Sequence, residues 1–176
     1  MWCPSSTRAT CSLSRGIDPN KQLGVSLLHI FVDADACPVK NEVYKVADRC
    51  GCKVTLVANS WMRVPDDLSI ELEVVGDDFD AADDWIVEQC EMCDIVITGD
   101  ILLADRCLKK GAKVIGVTGK SFTEDNIAGA VATRKLMADL RESGDLLSGP
   151  PPFQKSDRSR FLQELNAVIE FIKRNN

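Results

Sequence analysis

The segment FVDADACP, residues 31–38, holds the most concentrated chemistry in this chain. Asp33 and Asp35 stand two apart at the end of an apolar run, 27–32, that reads as a buried strand. Residues two apart on a strand face the same side. At the carboxyl end of a parallel strand, that side opens onto the crevice where α/β sheets bind ligands. Two carboxylates ~5 Å apart repel by roughly 3 kcal/mol at an effective dielectric near 20. A bound cation, a shared proton or helix-terminal amides must offset that cost, and the cation is the functional reading.

Further acids stand at equivalent places. Asp100 ends the strand-like DIVITGD, and Asp77, Asp78, Asp80, Asp83 and Asp84 crowd five carboxylates into eight residues. On a helix, Asp80 shares a face with Asp83 and Asp84. Hard oxygen ligands of this kind select Mg²⁺ or Mn²⁺ rather than zinc. Each acid also has a local reading, because Asp is a favoured helix N-cap; Asp100 suits a helix from 101, and Asp80 the helix that follows it. One helix start needs one cap, so the pair Asp33 and Asp35 tips the balance toward a metal site made with Asp100. The single histidine, His29, lies inside the first strand and reads as a packed side chain. That disfavours Ser-His-Asp and Cys-His catalysis. Cys37 is expected at a helix N-terminus, which would lower its thiol pKa, but without a base it reads as packed or capping. No Walker-type glycine loop appears. What remains is a carboxylate-held cation activating water for in-line attack at phosphorus.

The elements that must position these groups alternate. Strands are expected at 27–33, 53–59, 70–75, 94–100 and 112–119, the third shorter and edge-like. Helices are expected at 37–49, 80–89, 101–110, 123–143 and 158–173, with Pro38 in the first turn of the first, Gly111 and Gly144 as stops, and Asp157 capping the last. This βαβ alternation predicts a mostly parallel sheet with helices on both faces, a three-layer α/β domain.

With 176 residues the chain suits one domain, 27–176, behind an aperiodic segment, 1–26, read as a disordered extension or an upstream start. That segment has no apolar core of the signal-peptide kind, and no stretch reaches membrane-spanning length. A net charge of −6 argues against a broad basic surface for nucleic acid. The charge is uneven: fourteen acids and no Lys or Arg lie between Val64 and Asp105, whereas 133–176 is slightly basic. An acidic zone facing a basic one suits a cation-dependent enzyme with an anionic substrate; a solvated acidic helix face is the plainer alternative. Eight cysteines with no secretory signal point to a reducing, cytoplasmic setting. Cys50-x-Cys52 and Cys90-x-x-Cys93 could supply four zinc ligands. Both pairs fall at the opposite edge of the sheet, so structural zinc is disfavoured against buried free thiols.

Two resemblances bear on function. The DxD after the first strand, followed by GDILLAD at 99–105, resembles the haloacid-dehalogenase phosphatases, in which the first Asp is a nucleophile. That family needs a lysine between its second and late acidic motifs, and this chain has none from Val54 to Leu108. This reading ranks second. The chain more closely resembles the YaiI/YqxD family, an uncharacterised group of bacterial proteins with a PIN-like fold. The likeness rests on VDADACP, VTLVANSWMRVP, FDAADDWIV, DIVITGDILLA and TRKLMADLRESG, then GPPPF and DRSRF, in order over about 28–172. Departures are the amino-terminal segment, Asp84-Trp85 where the family carries Asn-Glu, and the loop after the fifth strand.

The resemblance implies strand order 3-2-1-4-5 and a set of acids like that of PIN-like nucleases. Here these would be Asp33 with Asp35, Asp80 or Asp83, and Asp100. Glu124 or Asp125 could be a fourth, though Thr123-Glu-Asp reads as ordinary helix-start chemistry. Asn59 and Arg63, just past the second strand, with Arg134 and Arg158, are candidates to hold a phosphate; surface salt bridging is the alternative for the arginines. The expectation is a Mg²⁺- or Mn²⁺-dependent phosphodiesterase acting on RNA. A non-catalytic module binding a cation or a basic partner is the third reading, favoured by the scarcity of aromatic residues for base stacking.

Overall fold

Runs rich in β-branched residues build the centre of the molecule, as their restricted side chains favour pleated, buried surface. The computed structural model describes residues 28–35, 37–67, 69–76, 80–142 and 152–175. Asp77, Asp78 and the amino-terminal segment lie outside them.

Strands β1 (His29–Asp33), β2 (Lys53–Ala58), β3 (Ile70–Val74), β4 (Ile95–Ile97) and β5 (Lys113–Ile115) are parallel, and β6 (Ser121–Phe122) pairs antiparallel with β5. Their order is β3-β2-β1-β4-β5-β6. The expected order of five is observed, with one short strand added, in a three-layer α/β fold of the PIN-like kind. β3 lies at an edge, as its alternating pattern suggested.

Side chains of period two sort into two cores. Ile30, Val32, Val54, Leu56, Ile95 and Ile97 pack with Val43 and Val46 of α1 (Lys40–Cys50) and Phe161, Leu165 and Ile169 of α5 (Lys155–Asn175). Phe31, Val57, Val96 and Val114 point the other way. They meet Ile86 of α2 (Ala81–Gln89), Leu103 and Cys107 of α3 (Ile101–Lys109) and Ile127 of α4 (Glu124–Glu142). Burying one Ile or Leu side chain contributes roughly 1.5–3 kcal/mol.

Several ends differ from expectation for local reasons. α1 begins at Lys40, because Pro38 and Val39 occupy a turn first. β4 stops at Ile97, as Thr98 donates its amide to Ile115 and the chain turns into α3. β5 stops at Ile115 because the Gly116 amide closes a tight turn on the Lys120 carbonyl at 2.8 Å, with Gly119 at φ 78°. That turn creates β6, which two residues could not announce. α5 begins at Lys155, and Asp157 does not precede it as a cap. Its carboxylate instead returns to the Gln154 amide at 2.9 Å, the reciprocal half of a capping box.

The sheet sets Cys90 apart from the other three cysteines of the two pairs. Cys52 belongs to the α1/α5 core and Cys90 to the α2/α3 core, while Cys93 packs against the former.

Candidate active site

β1 lies between β2 and β4, so a residue at its carboxyl end can reach either neighbour. Asp33 follows Val32 and points to the α2/α3 side by alternation. Its Oδ2 accepts the Thr98 hydroxyl at 2.9 Å, just past β4. Thr98 is fully buried, and its hydroxyl oxygen also accepts the Asp100 amide at 2.9 Å. Thr98 therefore couples the ends of β1 and β4, a role that a search for charged residues misses. Asp35 is held by the other neighbour: its Oδ2 accepts the Asn59 amide at 2.9 Å, just past β2. β1 ends at Asp33, so Asp35 stands in the turn beyond it rather than on the same strand face; the two acids stay at one edge while leaning on different strands.

Asp100 is the N-cap of α3. Its Oδ1 accepts the amides of Leu102 at 2.6 Å and Leu103 at 3.3 Å, and the Arg134 guanidinium of α4 at 2.7 Å. All three bonds fall on Oδ1, so Oδ2 stays outside them. Burial opposes ionisation of Asp100. Arg134 and the two amides outweigh it and hold the carboxyl below its ordinary range.

The expectation that Asp80, Asp83 and Asp84 act from one helix face divides. Asp80 stands at the N-cap position of α2 with φ 64°, and its side chain makes no capping bond. Asp84 is engaged by Arg106 at 2.6 Å. Asp83 faces the site. Burial pushes its carboxyl up to about 6, with Asp100, Asp33 and Asp80 adding to the rise and Arg106 opposing it. Asp33 is raised too, by burial first, then by the charges of Asp35 and Asp100, against the Thr98 hydrogen bond. Asp33, Asp35, Asp83 and Asp100 thus form one electrostatically coupled group at the carboxyl edge of the sheet.

This donor set suits a hard cation in its chemistry: only carboxylate and hydroxyl oxygens, two acids raised by mutual repulsion and burial, and one Asp100 oxygen uncommitted. Among the described residues, however, no three His, Cys, Asp or Glu side chains are already gathered in a ligand arrangement. Residues 33, 35 and 100 would have to close on an ion from their present hydrogen bonds.

The other candidates are dispersed. Asn59 contributes its backbone to Asp35, and Arg63 is exposed with no ion pair among the described residues. Arg158, in the first turn of α5, pairs with Glu42 of α1 at 3.2 Å and lies over the Phe153 ring at 5.9 Å. Glu42 is only 5% exposed, and its Oε2 has no hydrogen-bond partner. Glu124 and Asp125 lie in the first turn of α4, where the Asn126 side chain accepts the Thr123 amide at 3.1 Å. His29 is packed, bonded to the Thr55 hydroxyl at 2.8 Å and set against the Phe31 ring. Cys37 corrects an expectation: it precedes α1 by three residues, and burial raises its thiol to about 11 rather than activating it.

No helix among the described residues is long and apolar enough to cross a membrane. No solved structure matches the chain significantly. Curated relatives do. A UPF0178 protein of Sphingopyxis alaskensis is 58% identical over 146 residues, covering 82% of this chain and 95% of the relative. A UPF0178 protein of Rhodospirillum centenum is 53% identical over 152 residues, covering 84% and 99%. One from Nitrobacter winogradskyi is 51% identical over 150 residues, covering 85% and 96%. Residues 31–171, which include every acid of the site, match the family model described as "Uncharacterized BCR, YaiI/YqxD family", and to that family this chain belongs.

Proposed function

We propose that the chain is a Mg²⁺- or Mn²⁺-dependent phosphodiesterase acting on RNA in the cytoplasm. The observation that carries this reading is the coupling of Asp33, Asp35, Asp83 and Asp100 at the carboxyl edge of a parallel sheet, the usual place for ligands in such sheets. Asp33, Asp35 and Asp100 would hold the cation, which when bound would supply Lewis-acid activation of a phosphodiester and of water. Asp83 accepts no hydrogen bond among the described residues and has a carboxyl raised to about 6. Such a group is matched to take a proton from attacking water near neutral pH. Thr98 keeps Asp33 and the α3 terminus in register. Arg134, now on Asp100, is placed to turn to an incoming phosphate once that carboxylate has another partner.

The test is cleavage of a single-stranded RNA oligonucleotide by the purified chain with Mn²⁺. Activity is expected, and is expected to vanish in Asp33→Asn and in EDTA. Cleavage that survives either treatment removes the reading. The Arg134–Asp100 bond favours a second one, in which the acidic site is neutralised by basic groups and serves as a binding module. Absence of both cleavage and Mn²⁺ binding selects it.

A further inference from the structure

Trp61 lies at the same edge of the sheet and is 76% exposed. An indole carries roughly 150–250 Å² of surface that burial would favour. The backbone around it is held on both sides. Asn59 donates its amide to Asp35. Met62 and Val64 pack against the α1/α5 core. The Met62 sulfur lies 3.7 Å from Lys40 Nζ, which itself donates to the Ala34 carbonyl at 2.9 Å. Both flanks of Trp61 are thus tied to the segment that carries Asp33 and Asp35. Two residues of chain span at most about 7 Å, so the Trp61 backbone stays within that distance of Asn59 and hence beside Asp35. Exposed Arg63 follows two residues later.

An exposed indole on a held stretch of backbone, with a guanidinium close by in sequence, suits a ligand that is planar at one point and anionic at the next. Aromatic faces stack on bases without regard to sequence, and guanidinium groups take phosphate. We infer that Trp61 is a stacking platform for a nucleobase, which sets the substrate class as single-stranded nucleic acid. One base lies on the indole while the adjoining phosphodiester reaches the carboxylates. Bases within a duplex already have both faces covered by their neighbours, so paired substrate is disfavoured. The scarcity of aromatic residues does not oppose this, because one indole at this position is enough. The placement of the scissile phosphate rests on the phosphodiesterase reading; the stacking is a binding claim that needs no cleavage.

The experiment measures binding of a fluorescently labelled single-stranded RNA oligonucleotide by anisotropy, in Mg²⁺ and in an Asp33→Asn background that silences the proposed cleavage. Trp61→Ala is expected to weaken binding by about five- to a hundredfold, the range that stacking of one base supports. Trp61→Phe is expected to stay within severalfold. An oligonucleotide lacking bases should bind Trp61→Ala and its parent equally. The side chain is exposed, so circular dichroism should show the same fold in all variants. Equal affinity of Trp61→Ala and its parent for the base-bearing oligonucleotide overturns the inference, even if Mn²⁺-dependent cleavage is found. Undetectable binding by the Trp61-bearing chain overturns it as well. Weakened binding in Trp61→Ala together with no cleavage by the native chain supports the stacking and refutes the phosphodiesterase.

Discussion

Asp83→Asn should make the protein more stable at neutral pH, an unusual result for a polar residue facing a site. The Asp83 carboxyl is raised from 3.8 to about 6 by burial and by Asp100, Asp33 and Asp80. At about 1.4 kcal/mol per pKa unit this corresponds to roughly 3 kcal/mol. The side chain is only partly buried, so solvent screening reduces the figure to about 1–2 kcal/mol. Below pH 3.8 the group is protonated in folded and unfolded chains alike, and nothing is lost. Between 3.8 and about 6 the folded chain holds the proton that the unfolded chain releases, so stability falls as pH rises, and above about 6 the loss is complete. Asp83→Asn should therefore raise Tm at pH 7.5 by about 2–8 °C, at about 2–4 °C per kcal/mol for a domain of this size. Near pH 4 it should leave Tm nearly unchanged. A divalent cation relieves the same repulsion, so Mn²⁺ should raise the Tm of the native chain and do less for the variant. Differential scanning fluorimetry across pH, with and without Mn²⁺, reads all of this. A variant equally stabilised at pH 4 and pH 7.5, or destabilised at pH 7.5, refutes the electrostatic coupling.

Removing Arg158 leaves the buried Glu42 carboxylate without its cation. Arg158→Met should cost about 1–3 kcal/mol in urea unfolding, less than a fully buried pair because the arginine is half exposed, and adding Glu42→Gln should recover most of it. Gly119 has φ 78°, and a Cβ there would sit 2.6 Å from the Arg160 carbonyl carbon and closer still to the Phe161 amide nitrogen. Gly119→Ala should cost at least about 2 kcal/mol, because neither backbone can give way without lifting α5 off the sheet; a loss below 0.5 kcal/mol, on the order of an exposed substitution, contradicts that packing. Arg134→Gln should change stability by less than about 1 kcal/mol, since its partner is only partly buried, while raising the apparent Mn²⁺ affinity in calorimetry by freeing Asp100.

Much of the architecture was legible because each buried strand is a short β-branched run and glycines mark the ends of several helices. Gly51, for example, takes the left-handed conformation that closes α1. The paired acids at the end of β1 and the cap at Asp100 were legible for the same reason, as both are local patterns. Tertiary contacts were not. Nothing in the neighbourhood of Arg134 announces a partner 34 residues away. Glu42 stands in the first turn of α1 with nothing local to show that Arg158 of α5 meets it, and Cys37, packed as its surroundings suggested, has a thiol that burial raises where a place near the helix start would lower it. Thr98 carries no charge to attract notice, yet it joins Asp33 to Asp100. Trp61 lies between Asn59 and Arg63, whose polar groups draw the eye first. Its significance comes from being exposed on a held backbone, a property of the folded chain alone.

The most direct measurement is anomalous diffraction from crystals soaked in Mn²⁺. A single strong peak is predicted at the carboxyl edge of the sheet, roughly 2 Å from side-chain oxygens of both Asp33 and Asp100, with Arg134 turned off Asp100. A fully soaked crystal with no peak there, Asp33 still on Thr98 and Asp100 still on Arg134, contradicts it.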